Sequence, residues 1–184
     1  MIDPAAIPAV LLGPRVRLEV PHEGHAEVFL AGVLASMPAL LYVDWRPSSE
    51  WALRFCREDA RCMAAGEDLA WQVFAHDDGS WVGRIDVHTI DHTAGRGEIG
   101  YVGNSARAGQ GLMREAALLV IQTCWALGLQ RIEAMSDARN ARALHFARSL
   151  GMAQEGVLRR HERDPQGQLC DVVIFSVLKP DTAG

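Results

Sequence analysis

The turn from Arg107 to Arg114 holds the residues whose types and spacing point most directly to chemistry. It contains Gly109 and Gly111, it follows a strand-like segment at 97–103, and it precedes an amphipathic helical pattern from Glu115 to Leu127. A glycine turn that opens a helix leaves several backbone N–H groups unpaired, and the helix dipole favours an anion there. The pattern therefore predicts a site for a ligand that carries a diphosphate.

Two common nucleotide motifs do not fit this turn. No Lys-Ser or Lys-Thr pair follows it, which argues against a Walker-type loop. A dinucleotide fingerprint needs a third glycine three positions after Gly111, where Arg114 stands. The turn alone also leaves open an ordinary strand–helix connection that uses glycine for its backbone freedom.

The turn belongs to an ordered set of short motifs in the C-terminal half. In chain order they are Ile99-Gly100-Tyr101, Gly109-Gln110-Gly111-Leu112-Met113, Arg131-Ile132-Glu133-Ala134, Asp137-Ala138-Arg139-Asn140, Leu150-Gly151-Met152, Glu155-Gly156 and Asp171-Val172-Val173. Together they resemble the GNAT superfamily of N-acetyltransferases, most closely its RimJ/RimL-like branch, which acetylates the N-termini of ribosomal proteins. The general cofactor motif of GNAT proteins falls on Ala108, Gly111 and Met113, and only its middle position fits.

The resemblance implies acetyl-CoA as the co-substrate. Its diphosphate is expected over the N–H groups of the turn, and its pantetheine arm along the main chain of the preceding strand. The bulky Met113 would narrow this site. The expected cofactor-binding residues are Tyr101, Val102, Gly103, Ala108, Gly109, Gln110, Gly111, Leu112, Met113, Arg114 and Asn140.

Some of these residues have alternative roles. Asn140 also has the type and position of a helix N-cap, a role that is compatible with cofactor contact. The arginines around the two helix starts would neutralise phosphates or simply lie on solvated helix faces. They are Arg107, Arg114, Arg139, Arg142 and Arg148.

The acceptor side is inferred from the same resemblance. Glu162 is the first candidate for the general base, Glu98 the second and His161 the third, and a solvated surface glutamate is the alternative for Glu162. Tyr42 and Trp45 are expected to contact the acceptor, unless these aromatic residues only cover the core.

The general acid of the family is missing. The tyrosine usual in GNAT proteins falls on Ala147, and the serine of the RimL-like branch falls on Ala143. Either the thiolate leaves without a side-chain acid, or Ser149, Tyr101 or water replaces it.

Composition limits the function classes. A net charge of −5 argues against direct nucleic-acid binding, and no apolar run is long enough to span a membrane. The four cysteines and seven histidines form no ligand pattern, so we expect free thiols, a reducing compartment and no metal. The N-terminal residues lack the basic start of a signal peptide, which favours the cytoplasm. The resemblance adds an expected homodimer.

The alternation of strand and helix patterns predicts an α/β fold in one N-acetyltransferase domain over residues 1–184. We expect a GNAT-like mixed, mostly antiparallel sheet of seven strands with helices on both faces. The strands are expected at 15–20, 69–75, 81–90, 98–103, 131–135, 157–163 and 170–178. The helices are expected at 22–35, 48–65, 115–127 and 139–150.

The predicted function is acetyl transfer from acetyl-CoA to a primary amine, first of all a protein N-terminal α-amine. The alternatives are a small-molecule amine as acceptor, a non-catalytic acyl-CoA-binding sensor, and an unrelated α/β phosphate-binding enzyme.

Overall fold

The computed structural model describes residues 2–40 and 42–181. Its strands are β1 (Val10–Leu12), β2 (Val16–Glu19), β3 (Leu69–Ala75), β4 (Trp81–Asp91), β5 (Arg96–Gly103), β6 (Arg131–Asp137), β7 (Ala153–Arg163) and β8 (Leu169–Leu178). Its α-helices are α1 (Ala26–Ser36), α2 (Ser49–Ala65), α3 (Leu112–Ala126) and α4 (Ala141–Ser149). Short 3₁₀ turns precede α1 at Glu23–His25 and follow β5 at Ser105–Arg107.

The strands of the described residues form one sheet in the order β1-β2-β3-β4-β5-β6-β8-β7. Every neighbouring pair is antiparallel except β5 and β6. The predicted mixed, mostly antiparallel sheet is therefore confirmed, but it has eight strands in the described chain rather than seven. The missed strand, β1, is only three residues long and is recognisable only by its pairing with β2.

Local signals explain where the helices begin and end. The side chain of Ser48 accepts a hydrogen bond from the N–H of Trp51 at the start of α2, and Gly66 ends that helix in the left-handed conformation. Helix α3 begins at Leu112, earlier than predicted, because Gly111 turns the chain directly into the helix. The first turn of α3 therefore lies closer to the glycines than expected.

Two apolar clusters cover the two faces of the sheet. The larger includes buried residues of α3 together with Trp71, Ile85 and Ile132 of the sheet. The smaller includes Phe29 of α1 and Cys56 of α2 against residues of β3, β4 and β5. Helices thus pack on both faces, as predicted, and all four cysteines are buried free thiols. None of the described helices is both long and apolar enough to cross a bilayer.

The centre of the sheet is split along part of its length. Strands β5 and β6 pair only from Arg96 to Glu98 on one side and from Arg131 to Glu133 on the other. Beyond that point β5 continues to Gly103 paired with β4 alone, and β6 continues to Asp137 paired with β8 alone. A parallel pair that separates in this way leaves main-chain hydrogen-bonding groups on the inner edges of a cleft.

Candidate active site

The turn at the open end of β5 presents a run of unpaired donors. Gly109 and Gly111 have φ angles of 78° and 77°, a region that glycine adopts without steric cost. Among the described residues, the N–H groups from Gly109 to Arg114 have no hydrogen-bond acceptor in the chain. The N–H of Ala108 donates to the carbonyl of Ser105, so Ala108 lies outside this run. Six neighbouring donors at a helix start form a site suited to an anion.

Two arginines hold the turn in shape. The Nη1 of Arg15 donates to the carbonyl of Gln110 at 2.9 Å, and its Nε pairs with Glu115 at 2.8 Å. The guanidinium of Arg107 binds Asp77 and Asp78 in the β3–β4 turn, with Nη2 2.9 Å from Asp77 Oδ1. Sequence reasoning missed Arg15, because its partners lie about a hundred positions away and no local pattern connects them.

Most of the arginines expected near phosphates are engaged elsewhere. The Nε of Arg114 donates to the carbonyl of Ser149 at the end of α4, at 2.8 Å. Arg139 pairs with Asp137 and Asp164, and Arg148 donates to Gln154. At this turn the main chain, rather than these side chains, offers the positive potential.

The side chain of Met113 points away from the donor run. It packs on the sheet, where Gly83 and Gly103 are register partners on β4 and β5. Its Cγ lies 3.3 Å from the place that a β-carbon would take on Gly103. Gly83 and Gly103 make a recess that accommodates the Met113 side chain. The expectation that Met113 narrows the ligand site stays a prediction.

Tyr101 and Asn140 both contact the first turn of α4. The Tyr101 hydroxyl donates to the carbonyl of Ala143 at 3.3 Å, and its ring lies 4.5 Å from that of Phe146. Burial raises the pKa of the Tyr101 phenol to about 12. Asn140 is the N-cap of α4, accepting from the N–H of Ala143 at 3.1 Å. The Nδ2 of Asn140 has no acceptor among the described residues.

The two side chains suggested as substitutes for the general acid have different hydrogen-bond partners. The Ser149 hydroxyl donates to the carbonyl of Phe146 at 2.6 Å, within the last turn of α4. The Tyr101 hydroxyl instead lies at Ala143, the position where the resemblance places a serine. The phenol thus stands close to the place of the missing acid.

The two glutamates predicted as bases differ in burial, but the charge of Glu162 acts on the Glu98 carboxyl. Glu98 is half-buried on β5 at the point where β6 separates, whereas Glu162 is exposed on β7. Burial raises the pKa of the Glu98 carboxyl, and the charges of Glu133 and Glu162 raise it further, while His88 lowers it. Glu162 is therefore near enough to influence Glu98. His161, the third candidate, is exposed.

A buried ion network supports the same region and was not predicted. Arg84 is only 8% exposed and binds Asp59 of α2 at 2.6 Å and Asp86 of its own strand at 2.5 Å. Asp86 in turn occupies the space beside Gly100, its register partner on β5. The alternation of charged residues at 84, 86 and 88 on β4 was the available signal, since alternate residues share one face of a strand.

The loop between α1 and α2 contacts both the segment before α4 and the side of α2. The Tyr42 hydroxyl donates to the carbonyl of Arg139 at 3.1 Å, just before α4. Trp45 packs against Trp51 and Phe55 of α2, with ring centroids 5.5 and 6.0 Å apart. A surface cavity of about 410 Å³ adjoins Trp45 and Trp51. The predicted acceptor residues therefore lie in one loop, but Tyr42 and Trp45 contact different elements.

A histidine cluster lies at the end of β2. Potential ligand atoms of Glu19, His22 and His25 lie within 4.8 Å of one another, although the sequence suggested no such grouping. However, Glu19 already pairs with Arg17 at 2.6 Å and with His25 at 3.1 Å. The imidazole rings of His22 and His25 also contact each other, tilted by 34° with centroids 3.7 Å apart. The Glu19 carboxylate is thus already held by Arg17 and His25, and burial lowers the pKa of the His25 imidazole.

A family model and a curated relative both identify this chain as similar to acetyltransferases. The acetyltransferase (GNAT) domain model matches residues 15–153. The uncharacterized N-acetyltransferase p20 of Bacillus licheniformis is 32% identical over 120 residues, which cover 65% of this chain and 67% of that protein.

Solved structures share the fold. The microcin C7 self-immunity acetyltransferase MccE, in complex with acetyl-CoA and AMP, superposes with a TM-score of 0.86 at 19% identity, covering 96% of this chain and 100% of that chain. RimL, a ribosomal L7/L12 α-N-protein acetyltransferase in complex with coenzyme A, gives 0.83 at 19% identity, covering 94% and 97%. With the donor turn, the split sheet and the family match together, the chain belongs to the GNAT acetyltransferase family and is an N-acetyltransferase.

Proposed function

We propose that the chain, as one domain over residues 1–184, transfers the acetyl group of acetyl-CoA to a protein N-terminal α-amine. The observation that carries the cofactor assignment is the run of six unpaired N–H groups from Gly109 to Arg114 beside the separated edges of β5 and β6. A diphosphate suits the first feature, and an amide-rich arm suits the second. Solved relatives of the same fold hold acetyl-CoA or coenzyme A.

The cofactor would lie along β5. Its amides would hydrogen-bond the main chain at Tyr101, Val102 and Gly103, which no strand pairs on the β6 side in the described chain. Its diphosphate would accept bonds from the turn, and the free Nδ2 of Asn140 would donate near its reactive end. The acetyl group would then stand at the point where β5 and β6 part.

The reaction needs a proton acceptor on the other side of that point. The amine nitrogen attacks the thioester carbonyl, a C–N bond forms, the C–S bond breaks, and coenzyme A leaves as the thiolate or thiol. We propose that Glu98 takes the proton of the incoming ammonium, because it is half-buried where the strands separate. Glu162 would lie at the rim. An α-amine loses its proton at about pH 7.7–8.0, so the base has modest work to do.

Two observations favour an N-terminal amine over other acceptors. One is that RimL has the same fold, and the other is the loop that contains Tyr42 and Trp45. RimL is a ribosomal L7/L12 α-N-protein acetyltransferase. The Tyr42–Trp45 loop spans the acceptor side and offers aromatic surface for the first residues of a peptide. A small amine remains the second candidate, supported by the open cavity beside Trp45.

An acceptor screen with acetyl-CoA tests this function. Peptides with a free N-terminus, the same peptides blocked at the N-terminus with a free lysine, and small primary amines are compared by thiol release and product mass. Acetylation confined to free α-amines supports the proposal, and turnover of small amines alone would replace it with the second candidate. Tight acetyl-CoA binding without thiol release from any amine would favour the sensor role.

The cellular setting is part of the proposal. We expect a cytoplasmic enzyme, since its four cysteines are free thiols, and a homodimer, as the resemblance implies. Sedimentation of the purified protein checks the second expectation.

A further inference from the structure

His88 stands directly beside the proposed base. His88 on β4 and Glu98 on β5 are register partners, so their side chains project from the same face of the sheet. Directly opposed residues of antiparallel strands have β-carbons about 4.5–5.5 Å apart. A carboxylate and an imidazole at that spacing can exchange a proton directly or through one water.

The imidazole is held in place by its neighbours. Its Nδ1 lies 2.9 Å from the Thr89 hydroxyl, and its Nε2 lies 3.8 Å from Asp86 Oδ2. Thr89 has a φ angle of 53°, which is unusual for a β-branched residue and occurs at a register shift of the β4–β5 ladder. Strained residues of this kind cluster at functional sites.

His88 lies between the half-buried Glu98 and the solvent. The His88 side chain is 37% exposed, whereas Glu98 is half-buried. The charged groups that face the pair come from several elements of the described chain. They are Arg84 and Asp86 on β4, Asp68 before β3, Glu133 on β6 and Glu162 on β7. The charges around the pair are therefore mostly negative.

We propose that His88 relays the proton taken by Glu98 from the acceptor amine to bulk solvent, an inference that rests on the proposed function. In the first step the ammonium transfers a proton to the Glu98 carboxylate, which leaves a neutral amine. In the second step the Glu98 carboxylic acid transfers that proton to the free nitrogen of His88. The imidazolium then passes it to water or buffer, and both side chains return to their starting states.

The relay is tested with His88→Gln, using His92→Gln as the matched control. His92 lies exposed in the β4–β5 turn and outside the site. For His88→Gln we expect kcat to fall about tenfold or more, with acetyl-CoA affinity unchanged. Added imidazole, which titrates near pH 6.5, should restore kcat in proportion to its concentration, because it replaces the missing proton carrier. Wild type and His92→Gln should show neither effect.

Two results would overturn the relay. One is a His88→Gln variant with wild-type kcat in dilute buffer. The other is a lowered kcat, or a raised acceptor KM, that imidazole does not change, which would make His88 a structural or acceptor-binding residue. Failure of the proposed function would look different, because wild type itself would then acetylate none of the amines in the screen.

Discussion

The sulfur of Met113 occupies the space that a β-carbon would take on Gly83. The carbonyl of Val102 lies only 2.5 Å from the same place, so a side chain at position 83 would meet both helix α3 and the backbone of β5. The first turn of α3, which carries the last three N–H groups of the donor run, can lie close to the sheet only because residue 83 has no side chain.

Gly83→Ala should therefore destabilise the protein by about 1–3 kcal/mol, the usual cost of overpacking a filled core. Gly156→Ala is the control, since a β-carbon there meets no atom within 4 Å and the backbone is not left-handed. Urea unfolding of both variants measures the difference. Equal stability of the two variants would mean that α3 is not packed as tightly as the structure shows.

Gly111→Ala should weaken acetyl-CoA binding at least tenfold, a loss of about 1.4 kcal/mol. The substitution forces a left-handed residue to carry a β-carbon and disturbs the donor run. Gly167→Ala is matched, because Gly167 has a φ of 79° but lies in the β7–β8 turn, outside the donor run. Calorimetric titration of both variants with acetyl-CoA measures their affinities. The comparison separates the loss of the donor run from the general cost of a β-carbon on a left-handed residue. Comparable affinities would remove the turn from the cofactor site.

Glu98→Gln should reduce kcat by roughly 10²–10⁴-fold while acetyl-CoA affinity stays unchanged. Glu162→Gln is the matched comparison and should have a smaller effect, since Glu162 is exposed. A result in the opposite order would make Glu162 the base.

The pH profile gives a second test of Glu98. Burial raises its pKa, and only the carboxylate accepts a proton, so wild-type activity should be lost as pH falls through a value above the ordinary 4.5. Glu98→Gln should lack this acidic limb. A wild-type profile without an inflection above 4.5 would contradict the assignment.

Tyr101→Phe keeps the ring on Phe146 and removes only the hydroxyl that lies at Ala143. If the phenol protonates the leaving thiolate, kcat should fall by roughly 10²-fold. The deficit should shrink with an acetyl thioester of a more acidic thiol, which needs no acid. A deficit independent of the leaving group would assign Tyr101 a packing role.

Local patterns were sufficient for much of the fold. Strand β3 has the predicted bounds, and α2, predicted at 48–65, spans Ser49–Ala65, because alternation and capping are encoded within a few positions. Strand β1 was missed, since three residues carry too little periodicity and pair only through tertiary context.

The site was predictable where it depends on backbone and unpredictable where it depends on distant side chains. The glycines at 109 and 111 marked the turn because their left-handed conformations have a sequence signature. By contrast, the bond from Arg15 to Gln110 and the pairing of His88 with Glu98 depend on how separate strands and loops are brought together. No local pattern specifies such neighbours.

The early separation of β5 from β6 has a consequence for the rigidity of the sheet. Between Glu98 and Gly103 the sheet lacks one ladder of hydrogen bonds, and a bound acetyl-CoA would supply it. While bound, the co-substrate would join two parts of the sheet that are otherwise paired only where β5 and β6 begin. Slowed amide hydrogen exchange along both inner edges, and not in the β7–β8 turn, would record that joining in solution.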